Sequence, residues 1–446
     1  MKLSFPQLKN ITVLICFSLL YQCDSDNNKS SPDPVEGKTI IPDFFFEREL
    51  IRLGYDDAYD QYVLTSNIVG VKNLNLNRLG IRDLTGIQDF KSLESLECAD
   101  NMLTTLDLSQ NTSLEYLRCN NNELKTIEFG DQVNLYVLHC GENKLNSLDI
   151  ENMNNLIAID CPDNSISILN LYNFKNLISL DCSSNRIKSL SLNTNKFLEG
   201  FSCNGNQLSS IDLNGLDSLE ILDVGSNEIE ILEINNLSKL RNLNCSSNDL
   251  KSLDIGSNPE LRFLNCEFNN IGNIDVSNNS KLESLDCEFN ALQELNVSNL
   301  NQVISLWVGG NQLRNLDISN NLNLEDLRCF KNELRDLDLS SNTELRSIFC
   351  SNNPLGEIDL SNNVNLIYAF CQFNDLNQID ITNNPDLTYI SFSDNNLSKL
   401  DISKHTRLYN VDVTNNKLTC IKVNEDQLNA TWIKKDSTAV LALECD

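Results

Sequence analysis

Cysteine recurs in this chain at a fixed interval, and it is the residue type with the widest choice of chemistry. A step of 21 residues from Cys98 reaches sixteen positions up to residue 413, and twelve of them are Cys. Those twelve are Cys98, Cys119, Cys140, Cys161, Cys182, Cys203, Cys245, Cys266, Cys287, Cys329, Cys350 and Cys371. Recurring cysteines are typical of a metal site, a disulfide framework or a catalytic thiol. Each of these would imply a different function.

The remaining four positions of the series separate these alternatives. They are occupied by Val224, Val308, Phe392 and Val413, which are apolar and carry no ligand atom. Such replacements would destroy a metal cluster or a pairing scheme, yet the pattern continues through them. In-register neighbours on parallel strands lie ~4.8 Å apart, and their side chains are poorly aimed for the disulfide torsion. The sequence therefore predicts free, buried, inert thiols that act as compact apolar side chains.

The cysteines belong to a 21-residue unit, LxxLxCxxNxLxxLDLSxNxx, that runs without insertion or deletion. Its Asn, three residues after the Cys position, is present in all sixteen copies from Asn101 to Asn416. Both halves of the unit alternate apolar and polar residues, as strands do. An Asn amide both donates and accepts, so a stacked column of Asn would satisfy backbone groups where each strand turns away. We interpret this column as structural.

The unit resembles the leucine-rich repeats, specifically their nested 21-residue class, from Val71 to about Val423. The resemblance implies a leucine-rich repeat solenoid, mainly parallel β, with short strands on both faces. The segment from Ile41 resembles the small helical N-terminal cap of a bacterial family with these repeats, and the segment that ends the chain resembles its C-terminal cap. Cys420 and Cys445 bracket that last segment outside the 21-residue register. In an exported protein they are expected to form a disulfide that closes the last turn.

The first residues are typical of an exported protein. An apolar run from residue 11 to 20 follows two lysines and is too short to cross a bilayer. LLYQC, ending at Cys23, resembles the lipobox of bacterial lipoproteins, although Gln22 stands where a small residue is usual. The following DSDNN resembles the signal for surface lipoproteins of Bacteroidetes-type bacteria. The resemblance implies an acylated Cys23 and a lipoprotein exposed on the outer membrane; an ordinary cleaved signal peptide is the alternative.

The predicted organisation therefore has five parts. Residues 1–23 form the lipoprotein-type signal peptide, and residues 24–40 form a disordered tether that is rich in polar residues and proline. Residues 41–70 form the N-terminal cap, residues 71–423 the repeat solenoid and residues 424–446 the C-terminal cap.

Composition and motifs exclude several classes of function. The formal net charge of −29 would repel nucleic acid and anionic membrane surfaces, so the predicted membrane link is a lipid anchor alone. The two histidines, His139 and His405, lie in distant repeats, and the chain lacks GxSxG, HExxH, CxxC and Gly-rich phosphate loops. We predict a non-enzymatic binding protein without cofactor or metal. Its ligand is a protein or a glycan at the cell surface, and a passive scaffold is the remaining alternative.

A column of carboxylates follows the second half of the unit and includes Asp317 and Asp338. Like charges ~4.8 Å apart repel unless they accept hydrogen bonds or bind a cation. The preferred interpretation is that these carboxylates accept hydrogen bonds from backbone N–H groups of nearby turns. Loose calcium binding along this edge is the alternative.

Aromatic residues are concentrated on one predicted face of the later repeats. In LxxLxCxxN, positions 3, 5, 7 and 8 face outward, and between residues 263 and 389 they carry ten aromatic side chains and a central arginine. Exposed aromatic clusters mark interfaces, and rings also stack on sugars. This arginine and Lys331, which lies amid the aromatic residues, favour an acidic or hydroxyl-rich partner. A self-supporting ladder that only stabilises the sheet is the alternative. The predicted binding residues are Phe263, Phe268, Phe289, Trp307, Arg328, Phe330, Phe349, Tyr368, Phe370, Phe373 and Tyr389.

Overall fold

The computed structural model describes residues 35–445. Cys23, the predicted signal peptide and most of the predicted tether lie outside this range.

The N-terminal part of the described chain begins with strand Lys38–Ile40, which pairs antiparallel with Tyr62–Leu64. Helix Phe44–Leu53 lies between them, and a short helix, Thr65–Ile68, follows. The Asp43 side chain caps the first helix by accepting from two backbone N–H groups. Phe46 and Phe90 are fully buried and stack with ring centroids 6.2 Å apart, which packs this helix on the first turn.

One long parallel sheet, called here the principal sheet, contains 18 short strands. From the second strand to the sixteenth, each strand pairs with the strand 21 residues later, for example Ser284 with Ser305. The seventeenth pairs with a strand 22 residues later, Val411 with Ile433. The first strand pairs with a partner 22 residues later, Asn73 with Ser95. The strands are Asn73–Asn75, Ser95–Glu97, Tyr116–Arg118, Val137–His139, Ala158–Asp160, Ser179–Asp181, Gly200–Ser202, Ile221–Asp223, Asn242–Asn244, Phe263–Asn265, Ser284–Asp286, Ser305–Trp307, Asp326–Arg328, Ser347–Phe349, Tyr368–Phe370, Tyr389–Ser391, Asn410–Asp412 and Ile433–Lys434.

The alternation within each strand sets which residues enter the core. Leu282, Leu285 and Cys287 are at most 1% exposed, and the same positions are buried throughout the array. Buried apolar side chains of successive turns stack into one continuous core, which no single turn could form alone. The predicted leucine-rich repeat solenoid is confirmed.

Strands on the second face occur only near the two ends of the described chain. Leu106–Asp107 pairs with Ile127–Glu128, and Leu400–Asp401, Cys420–Lys422 and Val440–Ala442 form a three-stranded sheet. In the turns between them the chain bends where an Asp accepts from the backbone N–H two residues later, as Asp317 does from Ser319 at 3.0 Å. Such local turns favour bends over a continuous ladder. Short 3₁₀ helices lie at Ile87–Asp89 and Glu425–Gln427.

The predicted disulfide joins the C-terminal cap to the end of the solenoid. Cys420 is bonded to Cys445 across 25 residues, with their Cα atoms 5.8 Å apart, and this bond ties the last segment to the final turns. None of the helices within residues 35–445 has the length and apolar character needed to cross a bilayer.

Candidate functional site

The repeated cysteines do not form a reactive site. All twelve are free and buried. Burial raises the pKa of the Cys98 and Cys245 thiols to about 12, so they remain protonated at neutral pH. Because the thiolate is the nucleophile and the metal ligand, these thiols are chemically inert in the folded chain. They pack as apolar side chains, as predicted.

The Asn column hydrogen-bonds the backbone of neighbouring turns. Asn185 Nδ2 donates to the carbonyls of Cys161 (3.0 Å), Cys182 (3.1 Å) and Ser183 (3.0 Å), and its Oδ1 accepts from the Ile166 N–H (2.9 Å). Each amide therefore joins two turns and satisfies backbone groups that would otherwise be buried without partners.

A second Asn column stands at position 19 of the unit, and no role was predicted for it from the sequence. Asn258 is fully buried, and its Nδ2 donates to the carbonyls of Ile234 (3.0 Å) and Leu237 (2.8 Å). His405 occupies the same position of a later unit, and its Nε2 lies 2.9 Å from the Ile381 carbonyl. The signal was the last Asn of the repeated unit. His405 is thus part of the scaffold rather than an acid or base.

The eleven predicted binding residues, called here the aromatic surface, all lie on the principal sheet or on the turns that leave it. The structure brings most of them together in two groups. Phe263, Tyr368 and Phe373 are exposed and, among residues 35–445, contact no other aromatic ring at stacking distance. The eleven residues thus form two contacting groups and three separate rings, rather than one continuous cluster.

The first group consists of Phe268, Phe289 and Phe330. The Phe268 and Phe289 rings stack with centroids 4.6 Å apart, and the Phe289 and Phe330 rings meet edge-on at 5.8 Å. Two glycines make room for them: a Cβ on Gly310 would lie 2.6 Å from Phe289, and one on Gly309 would lie 2.5 Å from Phe330. Phe268 is 51% exposed, so the outer face of this stack is open to solvent.

The second group is a column through Trp307, Arg328, Phe349, Phe370 and Tyr389. The Arg328 guanidinium lies 3.9 Å from the Trp307 ring centroid and 5.3 Å from that of Phe349. The rings of Phe349, Phe370 and Tyr389 continue the column with centroids 4.7 Å apart. These residues support one another across strands, as the ladder interpretation expects.

Arg328 is already engaged by its neighbours in this column. Its Nε lies 3.5 Å from Oδ2 of Asp326, and the Trp307 Nε1–H donates to the same carboxylate oxygen at 2.8 Å. The Asp326 carboxylate offsets part of the charge of the guanidinium and so weakens its attraction for an acidic partner. The geometry of Arg328 therefore gives no support to the expectation that the partner is acidic.

Phe268, Phe289 and Phe373 share an unusual backbone conformation. They stand at position 8 of the unit, where the backbone is left-handed, with φ of 51°, 51° and 52°. Of the other thirteen units, eleven place Asp, Asn, Ser or Gly at this position, and the remaining two place Glu142 and Lys331 there in the same conformation. Gly, Asn and Asp are the residue types that tolerate it best. A bulky side chain in this conformation costs on the order of 1–3 kcal/mol. Because Phe268 and Phe373 are also more than half exposed, folding of the chain does not account for them.

Carboxylates gather beside the first group. Asp286 and Glu288 are each 6% exposed, and Glu267 is half-buried. Burial raises the pKa of Asp286 to about 6 and the pKa of Glu288 to about 7.

The carboxylate column in the second half of the unit behaves differently. Hydrogen bonds from the Ser319 hydroxyl and N–H hold the pKa of Asp317 below its ordinary value. The carboxylate column of the second half thus accepts hydrogen bonds from its own turns.

No catalytic arrangement is formed around His139. Its Nδ1 lies 3.0 Å from Oδ2 of Asp160, and its ring packs edge-on against Tyr116 with centroids 5.8 Å apart. Within residues 35–445, no hydrogen bond joins this pair to a nucleophilic side chain. The pair is a partly exposed contact on the principal sheet.

The fold matches that of solved leucine-rich repeat proteins. Neither a model of a protein family nor a curated protein sequence matches the chain. The functional domain of InlJ from Listeria monocytogenes, described as including a cysteine ladder, is 27% identical with a TM-score of 0.61, over 86% of this chain and 76% of that one. The leucine-rich repeat protein LIC12759 from Leptospira interrogans is 22% identical with a TM-score of 0.65, over 79% and 92%. The plant peptide hormone receptor RGFR1, solved in complex with RGF2, is 21% identical with a TM-score of 0.56, over 81% and 70%.

Proposed function

We propose that this leucine-rich repeat solenoid is a non-enzymatic scaffold that binds a protein partner through its aromatic surface. The observation that carries the proposal is the placement of Phe268 and Phe373. Both are exposed and both occupy a strained left-handed conformation, so they lower the stability of the free chain. Phe373 contacts no other ring among residues 35–445, and Phe268 stacks on Phe289 alone, so little in the folded chain compensates for this cost. Residues that break a local rule with so little compensation indicate a functional surface.

The dimensions of the array suit a large partner. A solenoid of about sixteen turns is roughly 75 Å long at one strand spacing per turn. Rigid repeats present such a surface without a cost of ordering on binding. One of the similar structures is a receptor bound to a hormone, and this supports a protein or peptide rather than a glycan as the first candidate.

The partner class is tested by capture from cell-surface extracts, run beside a glycan array. The immobilised chain is expected to retain a protein that withstands washing and binds again in purified form. Loss of that binding after treatment of the extract with protease would confirm a protein ligand. A specific glycan signal without any protein capture would instead establish the carbohydrate-binding alternative, and binding to neither would leave a passive scaffold.

We further propose that the solenoid is held at the outer membrane by an acylated Cys23, with the repeats facing outward. The proposal depends on the sequence around Cys23, which lies outside the described residues. Cys23→Ala is expected to release the protein from the membrane fraction, because a single thioether-linked anchor would be lost. Protease treatment of intact cells measures the orientation: rapid loss of the repeats is expected, and their protection would place them inside the outer membrane.

A further inference from the structure

A compact group of carboxylates lies on the principal sheet next to the aromatic surface. One carboxylate oxygen from each of Glu267, Asp286 and Glu288 lies within 4.8 Å of the other two, and no other group of three His, Cys, Asp or Glu side chains within residues 35–445 is as close. The three residues come from two successive turns. We propose that they bind one calcium ion, a role that neither includes nor depends on the recognition of a partner.

The distances match the coordination chemistry of calcium. Calcium–oxygen distances are about 2.3–2.6 Å, so two ligands of one ion are separated by at most about 5 Å. All three carboxylates can therefore reach the same ion. The ligand atoms are oxygens alone, which hard cations such as calcium prefer, and calcium tolerates an irregular shell completed by water. The Cys287 thiol between Asp286 and Glu288 in sequence is buried in the core and contributes no ligand.

A second observation points to a missing cation. Glu288 is 6% exposed, and its Oε1 is buried without a hydrogen-bond partner among the described residues. A buried carboxylate oxygen with no partner is costly, whereas a bound cation would supply the partner. Asp286 is equally buried, and its Oδ1 accepts the Glu288 N–H at 3.0 Å, which fixes the relative position of the two side chains. Glu267 is half-buried and connects the group to solvent.

The fold does not require acids at these positions. Glu267 and Glu288 stand at position 7 of the unit, and no other unit carries a charged residue there. The other occupants are Ala99, Asn120, Gly141, Pro162, Ser183, Asn204, Gly225, Ser246, Gly309, Phe330, Ser351, Gln372, Ser393 and Thr414. Two glutamates in adjacent turns of such a column repel each other and the buried aspartate between them. Calcium binding removes that repulsion and accounts for all three residues.

The nearest cation does not fill this role. Arg328 is stacked on Trp307 and ion-paired with Asp326, as described above. Burial raises the pKa of Asp286 and of Glu288 despite the opposing effect of the Arg328 charge, and no hydrogen bond joins its guanidinium to either carboxylate among the described residues. The cluster is left with three carboxylates and no cationic side chain that donates to them among the residues described.

The test is calorimetric titration of calcium chloride into the whole folded protein after chelation and removal of bound metal. One ion per chain is expected, with a Kd in the range of about 10⁻⁴ to 10⁻³ M that extracellular calcium modules show, and calcium should raise the melting temperature. Glu288→Gln keeps the size of the side chain and is expected to weaken binding at least about tenfold. Glu267→Gln is expected to cause the same loss of calcium affinity. Because Glu267 is more exposed, this variant serves as the test if Glu288→Gln does not fold.

The matched control is Asp181→Asn, which removes a carboxylate from position 5 of a unit that has Ser183 at position 7. It should bind calcium as the unsubstituted protein does. The proposal is overturned if the protein shows neither saturable heat nor a change in melting temperature up to about 10 mM calcium, well above the expected Kd. It is equally overturned if both glutamine variants are folded and bind calcium with unchanged affinity.

Discussion

Phe268→Ser combined with Phe289→Ser is expected to weaken binding of the captured protein partner by at least about a hundredfold, since truncation of aromatic hot spots typically costs 2 kcal/mol or more each. The fold should survive this change. Ser184, Ser226 and Ser247 already occupy the same left-handed position in other units. The two substitutions remove two ring contacts of about 0.5–1.5 kcal/mol each and no residue of the core, so the melting temperature should fall by only a few degrees.

The control for this pair is Tyr172→Ser combined with Phe197→Ser. These two aromatics are 63% and 61% exposed, but they belong to the second half of their units rather than to the principal sheet. Their loss removes similar exposed area and should leave affinity unchanged. Surface plasmon resonance with the purified partner measures both variants. Unchanged affinity of the folded Phe268/Phe289 variant would show that the aromatic surface is not the binding site.

Trp307, Phe349 and Phe370 stand at the same position of their units and offer a second set of aromatic residues for substitution. The structure shows that the column containing them also holds Arg328 between two of the rings. Replacing all three would remove packing as well as any contact with a partner. Loss of binding in that variant could therefore result from a local rearrangement, which the Phe268 and Phe289 pair avoids.

Asn185→Ala is expected to lower the free energy of unfolding by roughly 1–3 kcal/mol. The change leaves the Ile166 N–H without its partner, and a buried group without a partner costs about 1–3 kcal/mol. The carbonyls of Cys161, Cys182 and Ser183 each lose one bond but keep a second donor. Asn185 is 8% exposed, so water replaces little of what is lost. Because each turn is stabilised by its neighbours, the weakened interface should also open more often than the rest of the array.

Denaturant titration measures the loss of stability, and hydrogen exchange locates it. Asn193→Ala provides the control, because this exposed residue of the same unit should change stability by no more than about 0.5 kcal/mol. Exchange should accelerate around Cys161 and Ile166, the backbone groups that Asn185 holds. Equal stability of the two variants would contradict the structural role of the Asn column.

The fold of this protein was predictable because its period is unbroken. Every unit places Leu, Leu and Cys at positions 1, 4 and 6, or another apolar residue in their place, and the structure buries them in register. The disulfide between Cys420 and Cys445 followed from their position outside that register. The role of the invariant Asn was also predictable, because a side-chain amide in every unit can hydrogen-bond the backbone groups where each strand turns away. The second Asn column was equally visible in the unit, but its role was not predicted. Its backbone partners all lie in the preceding turn, as Ile234 and Leu237 do for Asn258.

The sequence by itself determined the register, the buried positions and the face on which the aromatic residues lie, because these depend on a one-dimensional repeat and on strand alternation. Only the tertiary structure decided which exposed side chains contact one another. It showed that Arg328 lies between two rings and that Phe268 and Phe373 are exposed residues with a left-handed backbone. It also showed that a carboxylate oxygen of Glu267 lies close to those of Asp286 and Glu288. Side chains on an exposed face adopt rotamers that depend on their neighbours in adjacent turns, and the period of the sequence does not specify those rotamers.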